Sequence, residues 1–258
     1  MGEIRIRAVS APADCQTIVE LQERVWGMPA GEVVPVGQLA TAAKWGGTLL
    51  LASDGEKPVG FCYGFGGLDG DGGPVLCSHM LGVVESHRGR GLGVALKQRQ
   101  RDDARALGLR RIVWTYDPLQ ARNAFLNLHR LGAISRDYTI DAYGPMTDEL
   151  NRGLPTDRLL ANWSVDAAPP TQPTDAVVVN PPQGERPGVF SADLLDGQRV
   201  RLAMPADVDA LKRRDLGVVS MWRQHVREAF QAAFARGYQA VDVVPPNGGP
   251  TAWYVLTR

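Results

Sequence analysis

The 258-residue chain is short of the residues that build several kinds of site. Cysteine occurs three times, as Cys15, Cys62 and Cys77. An odd count without regular spacing argues against a disulfide framework, and each lies in an apolar run as a reduced, buried small hydrophobe. Histidine occurs four times, as His79, His87, His129 and His225. None of these pairs at a metal-ligand spacing, so no metal is expected. There is no Gly-x-Ser-x-Gly elbow. No apolar run approaches the ~20 residues of a membrane span, and the N-terminal MGEIRIRAV alternates charged and apolar residues where a signal segment would be continuously apolar. An excess of either charge is also lacking. Lys plus Arg and Asp plus Glu both number 28, so no global field attracts nucleic acid or an anionic membrane. What remains is the composition of a globular protein with a core, and the expected setting is the cytoplasm.

Along the chain the periodicities predict alternating element types. Ile4 to Val9 reads as a strand. Helices are expected from Asp14 to Trp26 and from Pro35 to Trp45. Thr48 to Ser53 and Pro58 to Phe65 read as a hairpin across Asp54–Lys57. Val75 to Val84 is a strand, Leu92 to Leu107 a helix, Arg111 to Tyr116 a strand, Leu119 to Leu131 a helix, and Ile134 to Tyr143 and Leu159 to Val165 strands. A proline-rich stretch, 167–188, reads as a linker between a first domain, 1–166, and an α/β extension, 189–258. Within the linker, Ala176 to Val179 has the composition of an edge strand. In the extension, Val189 to Leu195 and Arg199 to Ala203 flank Asp196-Gly197 like a hairpin. Pro205 is placed to open a helix, Val218 to Arg236 is a long helix, and Tyr238 to Val244 and Ala252 to Thr257 are strands. About 70 residues of mixed structure make a weak core alone, so the extension is expected to pack on the first part.

The feature that carries chemistry is the glycine turn between the strand Val75 to Val84 and the helix that follows it, His87-Arg88-Gly89-Arg90-Gly91-Leu92-Gly93. A helix start leaves backbone N–H groups pointing outward, where they and the helix dipole favour an anion. Glycine lets the backbone approach that anion closely. A P-loop would need Lys and then Ser or Thr after the last glycine, and Val94-Ala95 stand there. A dinucleotide fold would want an acidic residue ~20 positions on. Asp117 lies 24 residues after Gly93, but several antiparallel-looking strands precede the turn. An ordinary helix entry is a third reading of the same residues.

The stretch Leu81 to Gly93 resembles the acyl-CoA motif of the GNAT superfamily of N-acetyltransferases, R/Q-x-x-G-x-G/A after a strand, with Arg88, Gly91 and Gly93 at its defining positions. The element order over roughly the first 165 residues matches that fold. The resemblance implies an α/β fold with a mixed central sheet splayed at the acyl-CoA site, the smaller C-terminal extension being packed on it. It implies that Leu81, Gly82 and Val83 lie along the thioester arm, that His87, Arg88, Gly89, Arg90, Gly91, Leu92, Gly93 and Val94 surround the diphosphate, and that Asn123 lies beside the cofactor. Many members carry a proton-donating tyrosine four residues before the glycine that ends the next helix; Leu128 stands there. Asp117-Pro118-Leu119, Arg122-Asn123-Ala124, Asn127 to Ala133 and Asn151 to Arg158 resemble a bacterial branch with an extended C-terminal part. Some of its members are linked to N-succinylamino acid racemase pathways.

The reaction implied is attack of an amine on a thioester, for which a base is needed near neutral pH. His79, Glu85 and Asp117 are the candidates, Asp117 reading better as a helix cap. Tyr116 and Tyr143 are candidate acids in place of Leu128. A carboxylate on the acceptor or acyl group calls for a cation, and Arg152 and Arg158, in a polar connection, are placed ahead of Arg122 and Arg130. The expectation is an N-acyltransferase that uses acetyl-CoA or succinyl-CoA on a small-molecule amine, an amino acid foremost. A homodimer is left open, and no nucleic-acid or membrane partner is expected. The alternatives are a non-catalytic acyl-CoA-binding regulatory module and a protein or peptide N-acetyltransferase.

Overall fold

The computed structural model describes residues 3–29, 31–145, 153–168 and 176–258. The chain forms two compact units, 1–114 with 164–166 and 115–163 with 167–258.

In the first unit, β1 (Ile4–Ala8) is followed by α1 (Pro12–Trp26) and α2 (Val36–Lys44). Three strands succeed one another: β2 (Thr48–Asp54), β3 (Lys57–Leu68) and β4 (Pro74–Val83). β1, β2, β3 and β4 pair antiparallel in that order. α3 (Leu92–Ala106) then carries the chain over to β5 (Arg111–Tyr116), which runs parallel to β4. A parallel neighbour requires such a crossover. The apolar stripes predicted for the helices meet the sheet: Ile18 and Leu21 of α1, Leu39 of α2 and Leu96 of α3 are buried with Leu50 and Phe61. Cys15, Cys62 and Cys77 are free thiols.

In the second unit a short α-helix, α4 (Ala121–Ala124), runs into a wide π-helical turn, Phe125–Arg130. The regular helix expected from Leu119 to Leu131 is thus shorter and changes pitch. β6 (Ile134–Thr139) and β7 (Arg158–Ser164) follow. β6 ends before the predicted Tyr143, because the chain turns at Asp141, whose φ is 47°. The rest comprises β8 (Val177–Val178), β9 (Arg199–Pro205), α5 (Val208–Arg214), α6 (Leu216–Ala235), β10 (Gln239–Val244) and β11 (Thr251–Thr257). The strands are ordered β7-β6-β10-β11-β9-β8.

Two expectations for the C-terminal region fail. Residues 189–195 form no strand with β9; Ala192–Leu194 is a 3-10 turn. Both edges of β9 are taken, by β11 on one side and by β8, in parallel, on the other. Asp196-Gly197 therefore turns the chain without closing a hairpin. Pro205 does not open a helix either. It ends β9 opposite Thr251, a position where a missing N–H is tolerated. α5 starts three residues later, capped by Asp207, which accepts from the Ala210 N–H at 2.9 Å; a carboxylate is a strong cap there. β8 does form at the predicted edge.

The extension shares its unit with 115–163. β10 pairs with β6 at Ala240–Ser135, and α6 buries Trp222, Val226 and Phe230. α6 also sends Arg223 to Asp117 through two hydrogen bonds of 2.8 and 2.6 Å, and Arg227 to Asp157 through two of 2.8 and 2.9 Å. Among the described residues, no helix is long and apolar enough to cross a membrane, and no cluster of His, Cys, Asp and Glu could hold a metal ion.

Candidate functional site

The first unit contains the strand, turn and helix on which the glycine motif lies. β4 pairs with β3 along its length, with one irregularity. Tyr63 faces Met80 and Gly64 faces Ser78, so His79 is an extra residue on β4. Such a bulge re-aims a side chain and recurs beside active sites. His79 is exposed. Its ring packs beside two aromatic side chains of β3, edge-on to Tyr63 at 5.8 Å and tilted to Phe65 at 5.9 Å. Desolvation by these surroundings lowers its pKa below the ordinary value of 6.5, so the imidazole is neutral at pH 7 and able to accept a proton.

On its other edge β4 pairs with β5 at Leu76–Ile112 and Cys77–Val113. The later β4 residues, Leu81, Gly82 and Val83 among them, take no part in that ladder. The sheet is splayed here, and the backbone N–H and C=O groups along this edge are open to another partner. Gly82 is required by packing: a Cβ there would come within 2.5 Å of the Phe61 ring.

After β4 the chain makes a 3-10 turn, Glu85–His87, and enters α3 through Gly89 and Gly91, with φ values of 75° and 81°. Both angles lie in the left-handed region where a side chain is strained. No side chain caps α3, so its first-turn N–H groups face outward from Leu92, Gly93 and Val94. Gly93 differs from its neighbours. Its φ is ordinary, and a Cβ would meet only Leu81 Cδ2, at 3.7 Å. Nothing in the fold requires glycine there, so a close approach from outside is the remaining physical reason for one.

The charged residues of the turn divide. Arg88 reaches back: its Nε donates to the Val83 carbonyl at 3.0 Å and its Nη2 to the Val25 carbonyl at 3.3 Å. It braces the end of β4 against the end of α1. His87 contacts Ser86 Oγ through Nδ1 at 2.9 Å and Asp54 through Nε2 at 3.2 Å, tying the turn to the β2–β3 hairpin. Arg90 and Glu85 are exposed.

The other candidates lie in the second unit. Tyr116 is buried, with its hydroxyl 3.2 Å from Ser135 Oγ; burial pushes its pKa well up, so the phenol keeps its proton. Asn123 is on α4. Leu128 is fully buried as a core residue, and the wide turn around it breaks the 100° phase by which its neighbours' directions would be counted. Asp117 accepts the Leu119 N–H at 2.8 Å, closing a turn ahead of α4, but it does not cap that helix, whose N-cap is Gln120 with no side-chain bond; it pairs instead with Arg223, which the sequence did not suggest. Arg158 is buried, donates to the Asp157 carbonyl at 2.9 Å and lies over the Tyr143 ring at 5.3 Å. Arg152 falls outside the described residues.

Sequence reasoning passed over two groups. One is the pair of β3 rings around His79, whose signal was the alternation Phe61, Tyr63, Phe65 on a strand facing the motif strand. The other is Lys97 with Gln100 on the buried stripe of α3. Two polar residues in register with Gly93 and Ala104 were the available signal.

Residues 16–133 match the acetyltransferase (GNAT) family model. Solved structures share the fold over about two thirds of the chain. A Salmonella typhimurium protein, yncA, described as an acetyltransferase and solved with its cofactor acetyl-CoA, is 19% identical, with a TM-score of 0.51 over 67% of this chain and 100% of that one. An acetyltransferase of the GNAT family from Streptococcus pneumoniae is also 19% identical, with a TM-score of 0.51 over 63% and 99%. The ribosomal-protein-S18-alanine N-acetyltransferase of Escherichia coli is 14% identical, with a TM-score of 0.51 over 67% and 100%. No curated protein sequence matches the chain.

Proposed function

We propose, from the premise that residues 16–133 form a GNAT acetyltransferase domain, that this protein transfers an acyl group from a coenzyme A thioester to the amine of a small molecule, an amino acid foremost. The observation that carries this is the sequence of a bulged His79, an open β4 edge and an uncapped helix start within one continuous segment. The donor set fits coenzyme A: N–H groups of α3 meet the diphosphate with Gly93 leaving room for it, Arg90 adds positive charge, and the open edge of Leu81 to Val83 can hydrogen-bond an amide-containing arm. The thioester supplies an activated acyl carbon. His79, neutral because its pKa is lowered, takes the proton from the incoming ammonium so that nitrogen can attack. Tyr63 and Phe65 pack against its ring. Glu85 is an auxiliary proton acceptor, and Tyr116, which keeps its proton, is the candidate donor to the departing thiolate. Asn123 is assigned to cofactor binding, and Arg152 and Arg158 to a carboxylate on acceptor or acyl group.

The acyl group is acetyl or succinyl; the resemblance to a branch linked with N-succinylamino acid racemases is what keeps succinyl in view. A thiol-release assay with acetyl-CoA and succinyl-CoA against a panel of amino acids tests the reading. Because a structure of similar fold is described as acting on a ribosomal protein's alanine, the panel includes N-terminal peptides. Turnover with amino acids supports the proposal, turnover with peptides alone replaces it with peptide acetylation, and tight binding without release on any amine makes the protein a binding module.

A further inference from the structure

Where the pairing of β4 with β5 stops, one side chain spans both strands. Cys77–Val113 is the last pair, and the next residues are Ser78 and Trp114. Lys97 Nζ, from α3, donates to Ser78 Oγ at 2.8 Å and lies 3.5 Å from the centroid of the Trp114 ring. It also donates to Gln100 Oε1 at 3.2 Å, an oxygen that accepts from Ser78 Oγ at 2.7 Å. Gln100 Nε2 in turn donates to Thr48 Oγ1 at 2.9 Å. The network therefore joins α3 to β2, β4 and the first part of β5, through residues that all belong to the first unit.

Lys97 is 3% exposed. Burial lowers its pKa to about 8, which records the cost of keeping the ammonium charged inside. A hydrocarbon of similar length would fill the same volume without that cost. The position therefore serves something other than stability. Backbone pairing sets a strand spacing of about 4.7–4.9 Å, and beyond the last pair no backbone bond sets it. A cation shared between a hydroxyl and an aromatic face is directional and does. Lys97 also lies four residues after Gly93, on the same face of α3, so the strut and the diphosphate turn move together.

We propose that Lys97 is a positioning residue, its ammonium bridging Ser78 and Trp114 at the point where β4 and β5 part and so setting the width of the cleft that takes the thioester arm. This rests on the coenzyme A reading above. A titratable group that faces the ammonium is Cys62 on β3, its thiol pushed up to about 11 by burial; Asp103, farther along α3, is paired with Arg99. Ser78, Gln100, Thr48 and Trp114 do not titrate near neutral pH. Of these groups, Lys97 is the one whose pKa, about 8, falls between pH 7 and 9.

The test is calorimetric titration of acetyl-CoA into wild type, Lys97→Met, Ser78→Ala and Trp114→Leu from pH 7 to 9, with thermal melts of each. Lys97→Met is expected to melt at or above wild type yet bind about tenfold or more weakly, a difference of about 1.4 kcal/mol. Wild-type affinity falls as pH rises through about 8, while the Lys97→Met profile is flat there. Equal affinity in wild type and Lys97→Met overturns the strut and leaves the coenzyme A reading standing; no binding by wild type overturns both. If Lys97→Met does not fold, Ser78→Ala and Trp114→Leu decide: weakened binding with an unshifted melt supports the strut, and unchanged affinity in both overturns it.

Discussion

His79 owes its place to a single inserted residue. On a regular β4 it would alternate with its neighbours across the sheet; the bulge turns it toward Tyr63 and Phe65. Two consequences can be measured. His79→Gln keeps the size and a hydrogen-bonding end but loses the base, so kcat should fall about 10²–10⁴-fold with acyl-CoA affinity unchanged; a kcat within twofold of wild type would remove His79 from the mechanism. Its lowered pKa means the base is deprotonated above that value, so the acid limb of the pH–rate profile should lie below 6.5 and vanish in the variant. Gly93 gives the cleaner probe of the diphosphate site. Gly91 has φ 81° and any side chain there is strained, whereas Gly93 has room for a Cβ. Gly93→Glu should therefore fold with a melting temperature near that of wild type and lose coenzyme A binding through bulk and negative charge. Retained affinity would count against the site. At this scale the motif glycines were legible in the sequence, because backbone freedom is a property of the residue. The direction of Arg88 was not, because the carbonyls it braces lie 5 and 63 positions away.

The elements of the second unit are joined by charges that sequence periodicity does not reveal. Asp157, fully buried, receives Arg227 through two bonds, the Tyr138 hydroxyl at 2.6 Å and the Asp141 N–H at 3.1 Å. Desolvation raises its pKa, but the bonds from Arg227, Tyr138 and Asp141 outweigh it, and the folded-state value is lowered below 3.8. A lowered carboxylate pKa contributes stability that is present above the unfolded value and lost as pH falls through the folded one. Wild type should therefore lose melting temperature below about pH 4, and Asp157→Asn should be less stable at pH 7 with a flatter profile in that range. A parallel decline in both would remove Asp157 from the acid response. The pattern of apolar residues placed α6, β10 and β11 within a residue or two of where they form. It misplaced Pro205 and the 189–195 strand because each has a local propensity that a distant strand, β11 or β8, overrides.

At the scale of the molecule, the C-terminal residues complete the unit that begins at Thr115. Deleting 189–258 would strip β10 from β6 and leave Asp117 and Asp157 without Arg223 and Arg227. Breaking one such buried pair costs about 3–5 kcal/mol, which is comparable to the stability of a whole domain. The truncated protein should be insoluble or lose cooperative unfolding. A soluble fragment 1–188 with a sharp thermal transition would show that the first 188 residues fold without the tail. Arg223→Met, which leaves the partly buried Asp117 beside an apolar chain, should reproduce part of that loss in the full-length protein. The sequence by itself determined most of the element types in the first unit, the glycine turn at the start of α3 and the resemblance to a family motif that this turn carries, since these depend on spacing along a local backbone. Only the tertiary structure decided which strands border β9, that His79 stands on a bulge beside two rings, and that Lys97 spans Ser78 and Trp114. These depend on side chains distant in the chain, whose meeting no periodicity encodes.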